Sequence, residues 1–148
     1  MFKLYFRKLL YVSSVTAFAM VSSTAMSDVL VSRFGVLEEI HGRLWFNGTP
    51  VKPYIEGNLN FNLLVRNPDL KNVDIVLIQS NGGTACPALY RIATISPSGV
   101  RMSSEFGTCS DLINFSMNGD EIVFGLPRYD RLGVQRYYYY NYETADVK

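Results

Sequence analysis

Two cysteines, Cys86 and Cys109, bracket a stretch with the pattern of a β-hairpin, and this pairing narrows the fold more than any other feature. The stretch runs SNGGTACPALYRIATISPSGVRMSSEFGTCSD, from Ser80 to Asp111. Gly82-Gly83 bends the chain before Cys86. Ala88 to Ile95 alternates as a strand, with Leu89, Arg91 and Ala93 opposed to Tyr90, Ile92 and Thr94. Ser96-Pro97-Ser98-Gly99 makes a tight turn, and Val100 to Ser104 runs back. In simple register the cysteines meet at the open end of this hairpin, and a bond between them ties its flanking loops. Two cysteines allow one pairing. Closing a loop of some two dozen residues stabilises a fold by about 3 kcal/mol on the loop-entropy model. The spacing is too wide for CxxC redox chemistry, and a single histidine with no further cysteine cannot complete a zinc set. The pair therefore reads as a structural disulfide.

The amino terminus reads as an export signal, residues 1–27, followed by one β-rich domain, residues 28–148. Lys3, Arg7 and Lys8 give a basic start, Leu9 to Val21 an apolar run, and Ala25-Met26-Ser27 small residues ahead of a cut. The apolar run is shorter than the roughly 20 residues that span a bilayer, so no membrane span is expected in the mature chain. Export is consistent with an oxidised cysteine pair. The removed segment carries three of the 14 basic residues and none of the 13 acidic ones, which leaves a mature net charge of −2 with His neutral. A weakly acidic chain of this kind lacks the electrostatic footprint of a nucleic-acid or anionic-lipid binder.

The remainder is a succession of short strand patterns. Val29 to Arg33 reads as a first strand or a loosely held arm, and Phe34 to Phe46 as one strand containing His41. Asn47-Gly48 is a strong hairpin signal because both residues tolerate positive φ. It returns the chain through Thr49 to Ile55, where Pro50 and Pro53 mark an edge. Gly57 to Arg66 alternates Leu59, Phe61 and Leu63 against Asn58, Asn60 and Asn62, the half-buried strand pattern. Asn67-Pro68-Asp69 turns the chain, and the β-branched run Val73 to Ile78 belongs at a sheet centre. After the cysteine stretch, Leu112 to Met117 and Glu121 to Leu126 form a hairpin about Asn118-Gly119-Asp120. A polar loop then leads to Val134 to Tyr142. The expected fold is all-β: one antiparallel sandwich or barrel-like meander of about eight to ten short strands with one disulfide. No βα alternation suggests a doubly wound sheet.

Few residues offer chemistry. His41 is the only histidine, no GxSxG surrounds a serine, and both cysteines are consumed in the disulfide, so no nucleophile–base set is expected. Glu38 and Glu39 are adjacent and point to opposite faces of a strand. Glu105, Asp111, Asp120 and Glu121 lie beside turns; Asp111, next to the stapled end, is placed to cap backbone N–H groups. Asn118 to Glu121 lacks the every-second-residue oxygens of a calcium loop, and Gly82-Gly83 lacks the lysine of a phosphate loop. No cofactor and no metal are implied. The tyrosine run is the unusual feature. In a strand, Tyr138, Tyr140 and Tyr142 share one face and Tyr137 and Tyr139 the other. One set belongs in the core, and the other forms a surface strip with Arg136 at its end. Tyr138, Tyr140, Tyr142 and Arg136 are the candidate binding residues, since tyrosine is enriched at contact surfaces.

GGTACPALYR…FGTCSD, followed by NGDEIVFGLP and the tyrosine-rich end, resembles uncharacterised small secreted, periplasmic proteins of Gram-negative bacteria over Ile75 to Tyr142. The resemblance implies an envelope location and assigns no residue a catalytic role. The expected function is therefore an exported, non-enzymatic binding module, an inhibitor, immunity or accessory protein with a protein or glycan partner in the cell envelope. Two alternatives stand beside it. One is a small envelope hydrolase that uses acidic residues near Cys109. The other is a surface-assembly subunit whose arm, Asp28 to Arg33, pairs with a neighbour's sheet edge.

Overall fold

Two-residue turns set the topology of the amino-terminal sheet. A computed structural model describes residues 29–65, 72–118 and 121–148, with no account of the Val65 side chain. The expected signal segment, the expected turn at Asn67-Pro68-Asp69 and the Gly119-Asp120 part of the expected last hairpin turn lie outside the described residues. The first sheet is a meander of β1 (Val29–Val31), β2 (Val36–Ile40), β3 (Arg43–Phe46) and β4 (Thr49–Pro50). Asn47-Gly48 links β3 to β4 with both residues at positive φ, as that dipeptide predicts. The expected single strand over Phe34 to Phe46 is instead two. His41 and Gly42 also adopt positive φ, at 51° and 77°, and fold β2 back onto β3 so that Ile40 faces Arg43. The sequence lacks an Asn-Gly or Asp-Gly signal there, which is why the turn was not expected. The histidine that a strand would have half-buried stands at a hairpin tip.

A second meander follows: β5 (Asn58–Val65), β6 (Asp74–Asn81), β7 (Leu89–Ser96) and β8 (Gly99–Met102). A third, β9 (Asn114–Asn118), β10 (Glu121–Pro127), β11 (Gln135–Asn141) and β12 (Asp146–Val147), completes the described chain. The protein is thus all-β and antiparallel, with no helix among its described residues, and none is long and apolar enough to cross a membrane. The twelve strands among the described residues exceed the expected eight to ten because of the His41 turn and the added two-residue strand β12.

The second sheet lies between the other two. Along β6, five consecutive residues from Asp74 to Ile78 are buried, which a sheet with one wet face does not allow. Val76 and Ile78, with Ala93 and Ile95 of β7, pack into one apolar cluster with Leu37, Leu44, Val51 and Ile55 of the first sheet and the loop after it. Ile75 and Leu77, with Tyr90 and Ile92, pack on the opposite side against Ile122, Phe124, Leu126, Tyr138 and Tyr140 of the third sheet. Period-two alternation supplies both clusters from the same strands. Removal of this apolar surface from water, at roughly 25 cal/mol per Å², is the main force holding the layers together.

Polar ties fix the layers. Asp74 is completely buried, and its carboxylate accepts hydrogen bonds from the Arg33 backbone N–H and from Arg33 Nε, both at 2.7 Å. Arg33 lies in the β1–β2 turn, so this pair joins the first sheet to the second. On the other side, the Tyr140 and Thr94 hydroxyls hydrogen-bond in the core. Arg101 of β8 donates to the carbonyls of Glu143 and Tyr142 at 2.7 and 2.9 Å.

Candidate functional site

Cys86 and Cys109 are bonded, as the spacing of the hairpin required. The bond joins the β6–β7 loop to the segment between β8 and β9. That segment is held along its length. Tyr90 and Phe106 exchange backbone hydrogen bonds at 2.8 and 2.9 Å. The Tyr90 hydroxyl donates to the Ser110 carbonyl at 3.0 Å, and the Tyr138 hydroxyl to the Gly107 carbonyl at 2.8 Å. Thr108 Oγ1 reaches the Pro127 carbonyl at 2.6 Å. Burial, with the negative charge of Asp111 nearby, pushes the Tyr90 phenol up to about 12. Asp111 does not act as the local cap that the sequence suggests; Ser110 Oγ accepts the Leu112 N–H instead, at 3.1 Å.

The third sheet places the tyrosines. Its register sets Phe124 opposite Tyr138 and Ile122 opposite Tyr140. Residues directly opposite share a face, so those two tyrosines follow the apolar β10 residues into the core. Tyr138 is 7% exposed and Tyr140 0%, whereas Tyr137 is 55% and Tyr139 44% exposed. Desolvation raises the Tyr140 phenol above its ordinary range, partly offset by its hydrogen bond with Thr94. The candidate contact set therefore shifts by one residue: Tyr138 and Tyr140 are core, and Tyr137 and Tyr139 form the surface strip. Tyr142, beyond the end of β11, is half-buried against the same core. Arg136 is exposed, with its guanidinium 5.2 Å from the centre of the Tyr138 ring, so it covers a core aromatic at the sheet end.

Tyr137 and Tyr139 share their face with residues that register puts beside them. Tyr137 is opposite Gly125 and Tyr139 opposite Val123; across β10, Gly125 faces Asn114 and Val123 faces Ser116. Gly125 is buried because side chains cover it. A β-carbon there would lie 2.6 Å from Asn114 Oδ1, 2.7 Å from Gln135 Oε1 and 3.3 Å from Tyr137 Cε1. Two carboxamides and one aromatic ring thus converge over a backbone floor. A signal for this arrangement was present in the sequence, as one glycine inside an otherwise apolar strand often marks a close approach.

A shallow cleft of about 410 Å³ opens at the sheet end, between Gly107-Thr108 and the β10–β11 loop, with Arg128, Tyr129 and Asp130 on its wall. Arg128 Nε donates to Asp130 Oδ1 at 2.8 Å. This contact holds the Asp130 carboxyl below, and the Arg128 guanidinium above, their ordinary values. Two cancelling, mutually satisfied charges leave little for a reacting group. The other acidic candidates are also engaged or dispersed. Glu39 accepts the Gly42 and Leu59 N–H groups, at 3.1 and 2.9 Å, and Glu105 pairs with Arg91 at 3.1 Å. Among the described residues, no three His, Cys, Asp or Glu side chains cluster as metal ligands would.

No protein-family model matches this chain, and neither the curated proteins nor the solved structures contain one that it matches.

Proposed function

We propose that this chain is an exported, non-enzymatic binding module of the bacterial envelope and that it acts through the outer face of its third sheet. The observation that carries the reading is the exposure of Tyr137 and Tyr139, at 55% and 44%, on a strand whose alternate tyrosines are core. Large aromatic side chains with few rotatable bonds give much contact area for little ordering entropy, which is why they recur where proteins hold ligands. The sheet beneath is rigid: Tyr138 and Tyr140 anchor β11 from below, through Phe106 at 5.0 Å between ring centres and through Thr94.

The disulfide supports the location, since such bonds persist in oxidising, non-cytoplasmic compartments. The basic and then apolar start of the sequence, and its resemblance to secreted proteins of Gram-negative bacteria, favour the periplasm. The arm that a surface-assembly subunit would lend to a neighbour pairs within its own chain, with Val31 opposite Val36 and Val29 opposite Glu38.

The test is affinity capture from a bacterial envelope extract with the oxidised mature protein, in parallel with a Tyr137→Ser/Tyr139→Ser variant of equal thermal stability. A protein or glycan retained by the parent and lost by the variant is the expected result. Equal capture by both would remove this face from the function.

A further inference from the structure

We infer that the outer face of the third sheet binds a neutral oligosaccharide, with pyranose rings laid on Tyr137 and Tyr139 and hydroxyls held by the carboxamides above Gly125. This rests on the binding-module reading and names its ligand class. Three features together select it.

The first is ring geometry. Tyr137 and Tyr139 are two residues apart on one strand face, so their β-carbons stand roughly 7 Å apart, and neighbouring sugar units of one chain can each lie on a ring. Tyr137 leans over Gly125 with Cε1 3.3 Å from the missing β-carbon position, so one ring edge rests against the sheet while the residue stays 55% exposed. A π face favours the weakly positive C–H faces of pyranose rings, as it favours the edges of other aromatics.

The second is hydrogen-bonding capacity at the right place. Asn114 Oδ1 and Gln135 Oε1 approach the same point over Gly125. Among the described residues neither carboxamide has a side-chain hydrogen bond. Each amide offers donors and acceptors together, which suits hydroxyl groups that both give and accept. The third is charge. Asn114, Ser116, Val123, Gly125, Gln135 and the two tyrosines carry none. The charges on this face lie at its edge: Glu121 and Asp146 flank Asn141, and Lys148, which exchanges both backbone hydrogen bonds with Tyr139, stands opposite that ring beside the edge strand. An anionic or cationic ligand would find no counter-charge between the rings. A protein partner requires about 800 Å² from each side and a desolvated apolar centre; amides and a serine around two rings provide a wettable face instead.

The experiment titrates the mature, oxidised protein with cellohexaose, maltohexaose and chitohexaose, followed by two-dimensional NMR of the backbone amides. At least one sugar should shift resonances of Gly125, Tyr137 and Tyr139, with a Kd below about 1 mM that is the same at low and high salt. Tyr137→Ala and Tyr139→Ala should each weaken binding at least about tenfold. Gly125→Ala, which displaces the two carboxamides while retaining both rings, should weaken it with the urea midpoint unchanged. Shifts confined to other sheets, or binding indifferent to all three variants, would overturn the assignment. So would the absence of shifts with every sugar at about 10 mM. If in that case tyrosine-dependent capture of an envelope protein persists, the glycan falls and the binding face stands; if capture also fails, both fall.

Discussion

Arg33→Ala should destabilise the protein by about 3 kcal/mol, far more than the loss of a surface arginine. The Asp74 carboxylate is at the start of the central strand β6 with no exposed surface, and Arg33 supplies a donor to each of its oxygens. The substitution leaves the backbone N–H bond to Oδ2 and removes the charge-assisted bond to Oδ1, along with the bond from Nη2 to the Val73 carbonyl. Breaking a buried ion pair from one side costs about 3–5 kcal/mol, because the remaining charge is stranded. The Arg33 side chain is 32% exposed, so water partly screens the pair, and the lower end of that range applies. Replacing both partners by apolar groups, Arg33→Met with Asp74→Leu, removes the stranded charge but leaves the Arg33 N–H without its acceptor, and should cost about 1–2 kcal/mol. The assay is urea unfolding followed by the fluorescence of Trp45, the only tryptophan, in β3 of the first sheet, together with far-ultraviolet circular dichroism. With a slope of about 1.5 kcal/mol/M, the single variant should lose about 2 M in midpoint. A single variant within about 0.5 kcal/mol of the parent, or a double variant less stable than the single, would refute the reasoning.

Other expectations follow from the same packing. Tyr138→Ala should cost about 3–5 kcal/mol by emptying a core site, while Tyr137→Ala should cost under about 1 kcal/mol; equal costs in urea unfolding would contradict the assigned faces. Replacing both Cys86 and Cys109 by Ala, across a sequence separation of 23, should lose about 3 kcal/mol. A loss under about 1 kcal/mol would mean that the Tyr90–Phe106 pairing already holds the loop. Stability should be flat from neutral pH to about pH 9, where unfolded tyrosines, with an ordinary pKa of about 10, begin to ionise, and then fall as the pH rises. Over that window the folded protein keeps Tyr90, raised to about 12, and the raised Tyr140 protonated, so it binds more protons than the unfolded chain. Each contributes a decline of at most about 1.4 kcal/mol per pH unit. Tyr90→Phe and Tyr140→Phe should each flatten the alkaline limb, and an unchanged limb would dismiss desolvation as the cause.

Much of the fold was legible because its signals are local. The Asn47-Gly48 turn, the alternation of Leu59 and Phe61 and the β-branched run ending at Ile78 each act within a few residues. The disulfide was legible because a count of two cysteines leaves one choice of pairing. The third layer was not. Buried stretches such as Ile75 to Ile78 show that both faces of a strand are dry, yet they do not say what covers each one. The Arg33–Asp74 pair was hidden for the same reason. It joins residues 41 apart in sequence, and nothing local distinguishes Asp74 from a solvated acid at a strand end.

The candidate site was half legible, and the missing half is a matter of parity. Five tyrosines in six positions guarantee that both faces of β11 are aromatic, whichever way the strand is turned. What selects the face is the pairing of Tyr138 with Phe124 and Tyr140 with Ile122. A one-residue slip across the β10–β11 loop would reverse it. That loop is seven residues long, Arg128 to Val134, too long for turn geometry to dictate register. The decision passes to burial: Ile122, Phe124 and Leu126 must meet Ile75, Leu77 and Ile92, and only one register takes tyrosine hydroxyls to Thr94 and the Gly107 carbonyl. The buried tyrosines are therefore those whose hydroxyls find partners in the core. Tyr137, over Gly125 and its two neighbouring carboxamides, and Tyr139, opposite Val123, are left outward.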